Sequence, residues 1–295
     1  MVSARRRRRA VDGVVTMTVK MGDVWDRTGA ILSGRGSTLA MVAALTIFLP
    51  AVVRDAYVAY ADKGTPAFAL IGGVLTIAVL LIALWGQLVI LALASDPAVD
   101  RAGAQAQAGR RIGPAIGVSV LLMLALIVLS LPIVVAMAGA GVDWTAMANG
   151  GTMAAADIGP GRSLFIVGYG LLLAVAILFI GARLTLVTPV ILHERRGAGA
   201  IGHSWALTRG HSWRIVGVLL LFLIVLLVAV SAAQAVTGIV FGLILGAEAV
   251  TTVALLAGIA AGIVSTIFTV IALAFIAQLY AALSAHQSRR QPVQP

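Results

Sequence analysis

Three histidines and a glutamate lie in one segment that follows the fourth long apolar stretch of the chain. The segment contains His193, Glu194, His203 and His211. Imidazole nitrogens and carboxylate oxygens are zinc ligands, and a helical metalloprotease site would have the pattern His-Glu-x-x-His. Here His193-Glu194 is followed by two arginines and a glycine, and neighbouring guanidinium groups disfavour a divalent cation. We therefore predict no bound metal, and no residue pattern indicates a cofactor.

Arg183 is the one ionisable residue that lies clearly within an apolar stretch. An intramembrane charge indicates a functional site in the interior of a helix bundle, but a long arginine can also reach water from near a helix end. Glu194 would lie ~16 Å further along a continuous helix. The two can meet only if Pro189 kinks that helix sharply, and otherwise Arg183 must pair with another span. We favour a structural or topological role for Arg183.

Acidic residues in the segments on the other side are Asp55, Asp62, Asp143, Asp157 and Glu248, and no histidine accompanies them. A hydrolase at that face would lack a base that titrates near neutral pH. The chain contains no cysteine, which excludes thiolate chemistry and disulfides. We predict that the protein is not an enzyme.

The elements that must position these residues are long apolar helices. Apolar residues make up 61% of the chain and charged residues 11%, against about a quarter in a soluble domain. Six apolar runs are each long enough to cross ~30 Å of hydrocarbon, and they lack the alternation of barrel strands. We predict an all-α, polytopic membrane protein with six transmembrane helices in three hairpins. The runs cover about residues 38–57, 67–94, 113–140, 163–191, 214–240 and 250–283.

The charges predict the orientation of these spans. Of the 21 lysines and arginines, all but Arg54, Lys63, Arg162 and Arg183 lie on one side of the alternating topology. Basic loops remain in the cytoplasm, so both termini are expected on the cytoplasmic side. We expect the membrane to be a bacterial inner membrane. We attribute the net charge of +10 to topology and to anionic lipid headgroups, and not to nucleic acid.

The predicted membrane domain covers residues 22–286, between a basic tail at 1–21 and a short cytoplasmic tail at 287–295. The first tail contains five consecutive arginines at 5–9, far from the first apolar run, which does not fit a cleavable signal peptide. Two interpretations stay open, a disordered tail that binds headgroups and a start site assigned too early.

A basic connector precedes each pair of spans, at residues 22–35, 96–111 and 200–214. Trp25, Trp205 and Trp213 suit the depth of lipid headgroups, so we expect short cytoplasmic interfacial helices. The connectors also suggest a threefold repeat, with convergent composition as the alternative. Small residues one turn apart, at Gly238, Gly242 and Gly246 and at Gly258 and Gly262, favour packing within the bundle over a homodimer face.

The segments 182–194 and 201–214 resemble the membrane-domain family of glycerophosphoryl diester phosphodiesterases and related six-span bacterial proteins. The family pattern is an Arg in the fourth span, a Pro, a Glu at its cytoplasmic end and a Ser-Trp-x-Leu-x-x-Gly element. The positions that carry this resemblance are Arg183, Pro189, Glu194, Ser204, Trp205, Leu207 and Gly210, and Arg209 lies within the same stretch. The resemblance extends over about residues 21–285. Some relatives carry a fused catalytic barrel, which has no counterpart among these residues.

Two classes of function remain. The first is a non-enzymatic membrane-homeostasis, lipid-associated or scaffold protein that presents basic helices to lipid or to a protein partner. The second is a small transporter or lipid-handling protein with a path near Arg183. Few polar groups occur within the spans, and this sparseness favours the first class.

Overall fold

The computed structural model describes residues 21–139, 159–194, 199–208 and 212–290, and no strand occurs in these ranges. The prediction of an all-α fold is confirmed. A π-helical turn, Ala44–Phe48, joins α1 to α2, and a 3-10 turn, Ala247–Ala249, precedes α9. The helices are α1 Met21–Ala43, α2 Leu49–Tyr60, α3 Pro66–Ser95, α4 Arg101–Ala138, α5 Pro160–Leu184, α6 Val187–Glu194, α7 Gly199–Thr208, α8 Ser212–Leu245 and α9 Val250–Arg290.

Six helical segments are long and apolar enough to cross a membrane, as predicted. They are Met21–Tyr60, Pro66–Ser95, Arg101–Ala138, Pro160–His193, Trp213–Leu245 and Val250–Ala285. The first has 40 residues, or ~60 Å at 1.5 Å per residue, about twice the thickness of the hydrocarbon. The additional length lies mainly at the end of the bundle that carries most of the described cations. We call it the basic end, and its cations include Arg27, Arg35, Arg101, Arg110, Arg111 and Arg214.

Two of the three connectors differ from the expected short helices. The first is continuous with the first span through α1, and most of the second belongs to α4. The Asp100 side chain accepts a hydrogen bond from the Gly103 backbone N–H at 2.9 Å, so α4 begins at Arg101 and continues into the apolar run. Only the third connector forms a helix of its own, α7.

The most deeply buried residues lie toward the basic end. Residues 88–94 of α3, 190–192 of α6 and 273–275 of α9 are all buried. By contrast, the most apolar windows of the second, third and fourth spans are 0% buried within the protein. Helices therefore pack tightly at the basic end, while much of the apolar surface further along the spans is left for lipid to cover.

The first two spans are in close contact at the π-helical turn. Pro50 lacks an N–H, so a regular helix would leave the Thr46 carbonyl without its donor, and Thr46 lies within the wider turn, Ala44–Phe48. Thr46 donates from Oγ1 to the Val42 carbonyl at 2.7 Å and lies against Gly86 of α3. A Cβ atom placed on Gly86 would lie 1.9 Å from Thr46 Oγ1. Only glycine fits at this position.

Two of the glycines singled out in the sequence face other helices of the same chain. A Cβ on Gly262 would lie 3.4 Å from Phe48 Cε2 of the first span, and one on Gly238 would lie 4.0 Å from Ala257 Cβ. Gly242, Gly246 and Gly258 have no such neighbour within 4 Å among the described residues. The first two contacts agree with packing within the bundle, and the homodimer stays an untested alternative.

Candidate functional site

The fourth span is interrupted just before Pro189. Helix α5 ends at Leu184 and α6 begins at Val187, with two turn residues between them. Pro189 is buried, and because it has no N–H, the carbonyl of Thr185 cannot receive the usual helical hydrogen bond. The break thus follows from the local sequence, and it leaves carbonyl groups at the end of α5 free to accept from elsewhere.

Helix α7 supplies donors for one of these carbonyl groups. Ser204 Oγ donates to the Arg183 carbonyl at 2.7 Å, and Thr208 Oγ1 lies 3.5 Å from the same oxygen. Both hydroxyl side chains are fully buried. Buried helix ends need partners for their unpaired carbonyls, and here the partners come from a neighbouring helix. The contact attaches α7 to the end of α5.

The Arg183 side chain lies between two aromatic rings. Its Cζ atom is 5.0 Å from the centroid of the Trp205 ring and 5.5 Å from that of Phe179. Nη1 also donates to the Trp205 carbonyl at 3.5 Å. Cation–π contacts of this kind stabilise by about 0.5–2 kcal/mol, more when water is excluded. We call Phe179, Arg183, Ser204, Trp205 and Thr208 the Arg183 junction.

One donor of the Arg183 junction stays open. The Nε atom of Arg183 is buried and has no hydrogen-bond partner within the described ranges. An N–H that is shielded from water and unpaired costs about 1–3 kcal/mol. The guanidinium is therefore held mainly by aromatic faces and carbonyl oxygen, and it retains one donor for an acceptor such as a carboxylate or a phosphate.

The structure brings together part of the predicted motif. Arg183, Ser204 and Trp205 are in contact, Leu207 is buried, and Pro189 shapes the break beside them. Two members, Arg209 and Gly210, lie outside the described residues. Glu194 is the last residue of α6, and its side chain is not among the described ones, so the conditional contact with Arg183 through a kink at Pro189 is not tested.

The histidines have separate surroundings. His193 stacks on Tyr280 of α9, with ring centroids 5.5 Å apart and the ring planes 9° from parallel. His203 lies on α7 and is partly buried, while His211 is outside the described ranges. No group of three potential metal ligands of the His, Cys, Asp or Glu type occurs within those ranges.

Arg35 has a role that was not recognised from the sequence, where it counted only toward the orientation. Its Nη1 atom donates to the carbonyls of Leu93 at 3.2 Å and Val99 at 3.0 Å, and its Nη2 to that of Pro97. Gln278 of α9 donates to the Ala94 carbonyl at 2.8 Å from another side. Two distant side chains thus cap the end of α3, across a sequence separation that no local pattern reveals.

Substitution of Ser204 tests the attachment of α7. We expect Ser204→Ala to lower the free energy of unfolding by about 1–2 kcal/mol, because a buried carbonyl loses its closest side-chain donor. Unfolding in mixed detergent micelles would measure this, together with protease cleavage between α6 and α7. Ser33→Ala is the matched control, because Ser33 is exposed and bonds only within its own helix. Equal stability of both variants would contradict a structural role for Ser204.

Comparison with known proteins gives one match. Residues 160–294, slightly less than half of the chain, match the family model of the membrane domain of glycerophosphoryl diester phosphodiesterase. This confirms the resemblance over the last three spans and includes the Arg183 junction. The match covers a membrane domain alone. No curated protein and no solved structure matches.

Proposed function

We propose that this chain, whose residues 160–294 match a phosphodiesterase membrane domain, is a non-enzymatic, lipid-associated protein of the bacterial inner membrane. Its role would be in membrane homeostasis or as a scaffold, with the basic end on the cytoplasmic side. In this proposal the basic end binds anionic headgroups, and a protein partner or a second copy would also meet it there.

The observation that carries the proposal is a set of exposed cations without carboxylate partners. They lie at the basic end, on α1, α4 and α8, and none forms an ion pair within the described part of the chain. The members are Arg27, Arg101, Arg110 and Arg214. At the far end of the first span, by contrast, Arg54 is paired with Asp55 at 2.6 Å. Unpaired cations near an anionic membrane surface contribute about 1 kcal/mol each to lipid binding.

The packing of the bundle supports the same conclusion. The buried residues lie toward the basic end, so the exposed arginines project from tightly packed helices. Because the backbone that carries these cations is already helical, phosphate binding need not order it, which lowers the entropic cost. Hydrogen-bonding groups are sparse along the spans, which favours association with lipid over a polar conduction path.

Charge removal at the basic end tests the proposal. We expect the protein extracted in polymer nanodiscs to be enriched in anionic phospholipid relative to the bulk membrane. The combined variant Arg27→Gln, Arg101→Gln and Arg110→Gln should lose this enrichment, since ~1 kcal/mol disappears with each charge. The matched control, Arg54→Gln with Lys63→Gln, removes charge at the opposite end and should leave the enrichment intact. Equal lipid composition in all three proteins would refute the proposal.

A second candidate function rests on the Nε atom of Arg183, which has no hydrogen-bond partner among the described residues. A lipid phosphate that enters the bundle could bind this donor, as a lipid-handling protein or small transporter would require. Arg183→Leu should then abolish the exchange of labelled lipid across proteoliposomes while the protein stays folded. Loss of folding without any exchange in the parent protein would instead support the structural role.

A further inference from the structure

A large apolar groove lies where the beginning of α1 meets the last two spans. Its volume is about 460 Å³, within the usual range of ~300–1,000 Å³ for ligand pockets. The lining residues come from α1, α8 and α9, and the groove is open along one side. Those that carry the argument are Trp25, Val218, Phe222, Val225, Phe268 and Phe275.

Aromatic pairs shape the groove. Phe222 of α8 and Phe268 of α9 meet edge to face, with centroids 5.4 Å apart. Trp25 of α1 packs against Phe275 at 5.6 Å, although about half of the indole stays exposed. The groove therefore has fixed apolar walls, and one of them is a tryptophan, a residue that prefers the boundary between hydrocarbon and headgroups.

The helical geometry places the groove in one leaflet. Contacts join Phe48 to Gly262 and Trp25 to Phe275. Between these contacts α1 and the π-helical turn advance ~35 Å along their axis, whereas α9 advances only ~20 Å. This difference indicates that the first helix is inclined or bent relative to α9, and its first residues line the groove together with α8 and α9. Val218 to Val225 extend ~10 Å along α8 from its basic end.

An exposed cation lies one helical turn before Val218, the first α8 residue of the lining. Arg214 precedes Val218 by one helical turn and shares its face of α8, because residues four apart lie above one another. It is exposed, and it has no ion pair in the part of the chain that is described. The nearest carboxylate along α1 is Asp23, one residue from the lining Gly22. A cation above an apolar slot matches the two parts of a phospholipid.

We propose that this groove is a binding site for one glycerophospholipid of the leaflet at the basic end. An acyl chain lies between Val225, Phe268 and Phe275, and the phosphate binds Arg214. The proposal deepens the lipid association proposed above, because it assigns one ordered lipid to a defined place. The phosphate is common to anionic and zwitterionic lipids, and an ethanolamine headgroup would also offer an ammonium to Asp23.

Native mass spectrometry of the purified full chain tests the site, with phosphatidylglycerol or phosphatidylethanolamine as the added lipid. We expect one lipid to be retained after mild detergent stripping. Val225→Trp fills the groove and should lower this occupancy about tenfold, in line with the loss of buried apolar area. Arg214→Gln, a change at an exposed position, should weaken retention about fivefold, the equivalent of ~1 kcal/mol.

Leu223→Trp is the matched control, since Leu223 lies on the same helix, is similarly exposed and does not line the groove. The site is supported if the parent and Leu223→Trp retain either lipid and Val225→Trp loses it. Retention of phosphatidylglycerol alone shows anionic selectivity, and retention of both shows that the phosphate suffices. Equal occupancy in both tryptophan variants overturns the proposal, as does a dimer that Val225→Trp disrupts. Because Arg27, Arg101 and Arg110 are untouched, general enrichment of anionic lipid can persist when the site fails.

Discussion

Replacing Gly86 with alanine will destabilise the contact between the first two spans by about 3 kcal/mol, the upper end of the usual cost of overpacking. The new methyl group would lie 1.9 Å from Thr46 Oγ1 and 2.6 Å from Thr46 Cβ. Thr46 cannot move away easily, because its hydroxyl bonds the Val42 carbonyl and the residue lies within the π-helical turn. Unfolding in mixed detergent micelles measures the loss.

A double-mutant cycle separates this steric clash from a general effect on helix α3. Thr46→Ala removes Oγ1 but keeps Cβ, so the pair Gly86→Ala with Thr46→Ala should be more stable than the sum of the single effects implies. Gly73→Ala is the control on the same helix, since no atom of the described residues lies within 4 Å of its new methyl group. Full additivity of the two changes would show that the spans do not touch at this point.

The architecture could be predicted because hydrocarbon constrains the backbone more strongly than water does. A lipid-exposed segment must satisfy its own N–H and C=O groups, so apolar length alone indicates each spanning helix. The exact helix ends could not be predicted in this way. Residues 22–35 contain three glycines, and the sequence favoured a separate helix there, yet α1 is continuous because Val24 and Thr28 pack into the bundle.

The Arg183 junction was predicted only in part. An arginine in an apolar run is visible in the sequence, as are Pro189 and the Ser204-Trp205 pair of the family pattern. The partners of Arg183 depend on how α7 folds back onto the fourth span, which no spacing rule specifies. Ser204 and Thr208, which meet the Arg183 carbonyl, are neutral hydroxyl residues of a common type. Their role follows from these hydrogen bonds and from their burial, neither of which the sequence shows.

The cap on α3 was not predicted at all. Arg35 is one of many basic residues, and the carbonyls that it binds lie about sixty positions away, at Leu93, Pro97 and Val99. Positive charge near a helix C-terminus is favourable, but the sequence does not show which cation reaches which helix. Gln278, which meets the same helix end, lies further still along the chain.

Arg35→Leu should therefore destabilise the protein by about 2–4 kcal/mol. Hydrogen bonds from a charged donor contribute ~1.5–3 kcal/mol each, and several carbonyls would lose this donor together. Arg35→Lys keeps the charge but not the planar fork of donors, so its effect should be intermediate. Thermal unfolding in detergent measures the stability of the parent, Arg35→Lys and Arg35→Leu, which should fall in that order. The rate of amide hydrogen exchange at residues 97–100 should rise in the same order.

Arg27→Leu distinguishes capping from the general effect of positive charge on topology. Arg27 lies two helical turns earlier on α1, is exposed, and has no carboxylate within ion-pair distance in the described part of the chain. Its removal should change stability by less than about 0.5 kcal/mol. Single cysteines introduced at each terminus of this cysteine-free chain would report the orientation of both variants by labelling from either side. If Arg35 caps α3, Arg35→Leu will be less stable than Arg27→Leu while the orientation of the protein stays unchanged. Equal stability of the two variants would show that Arg35 contributes only to topology, like the other basic residues.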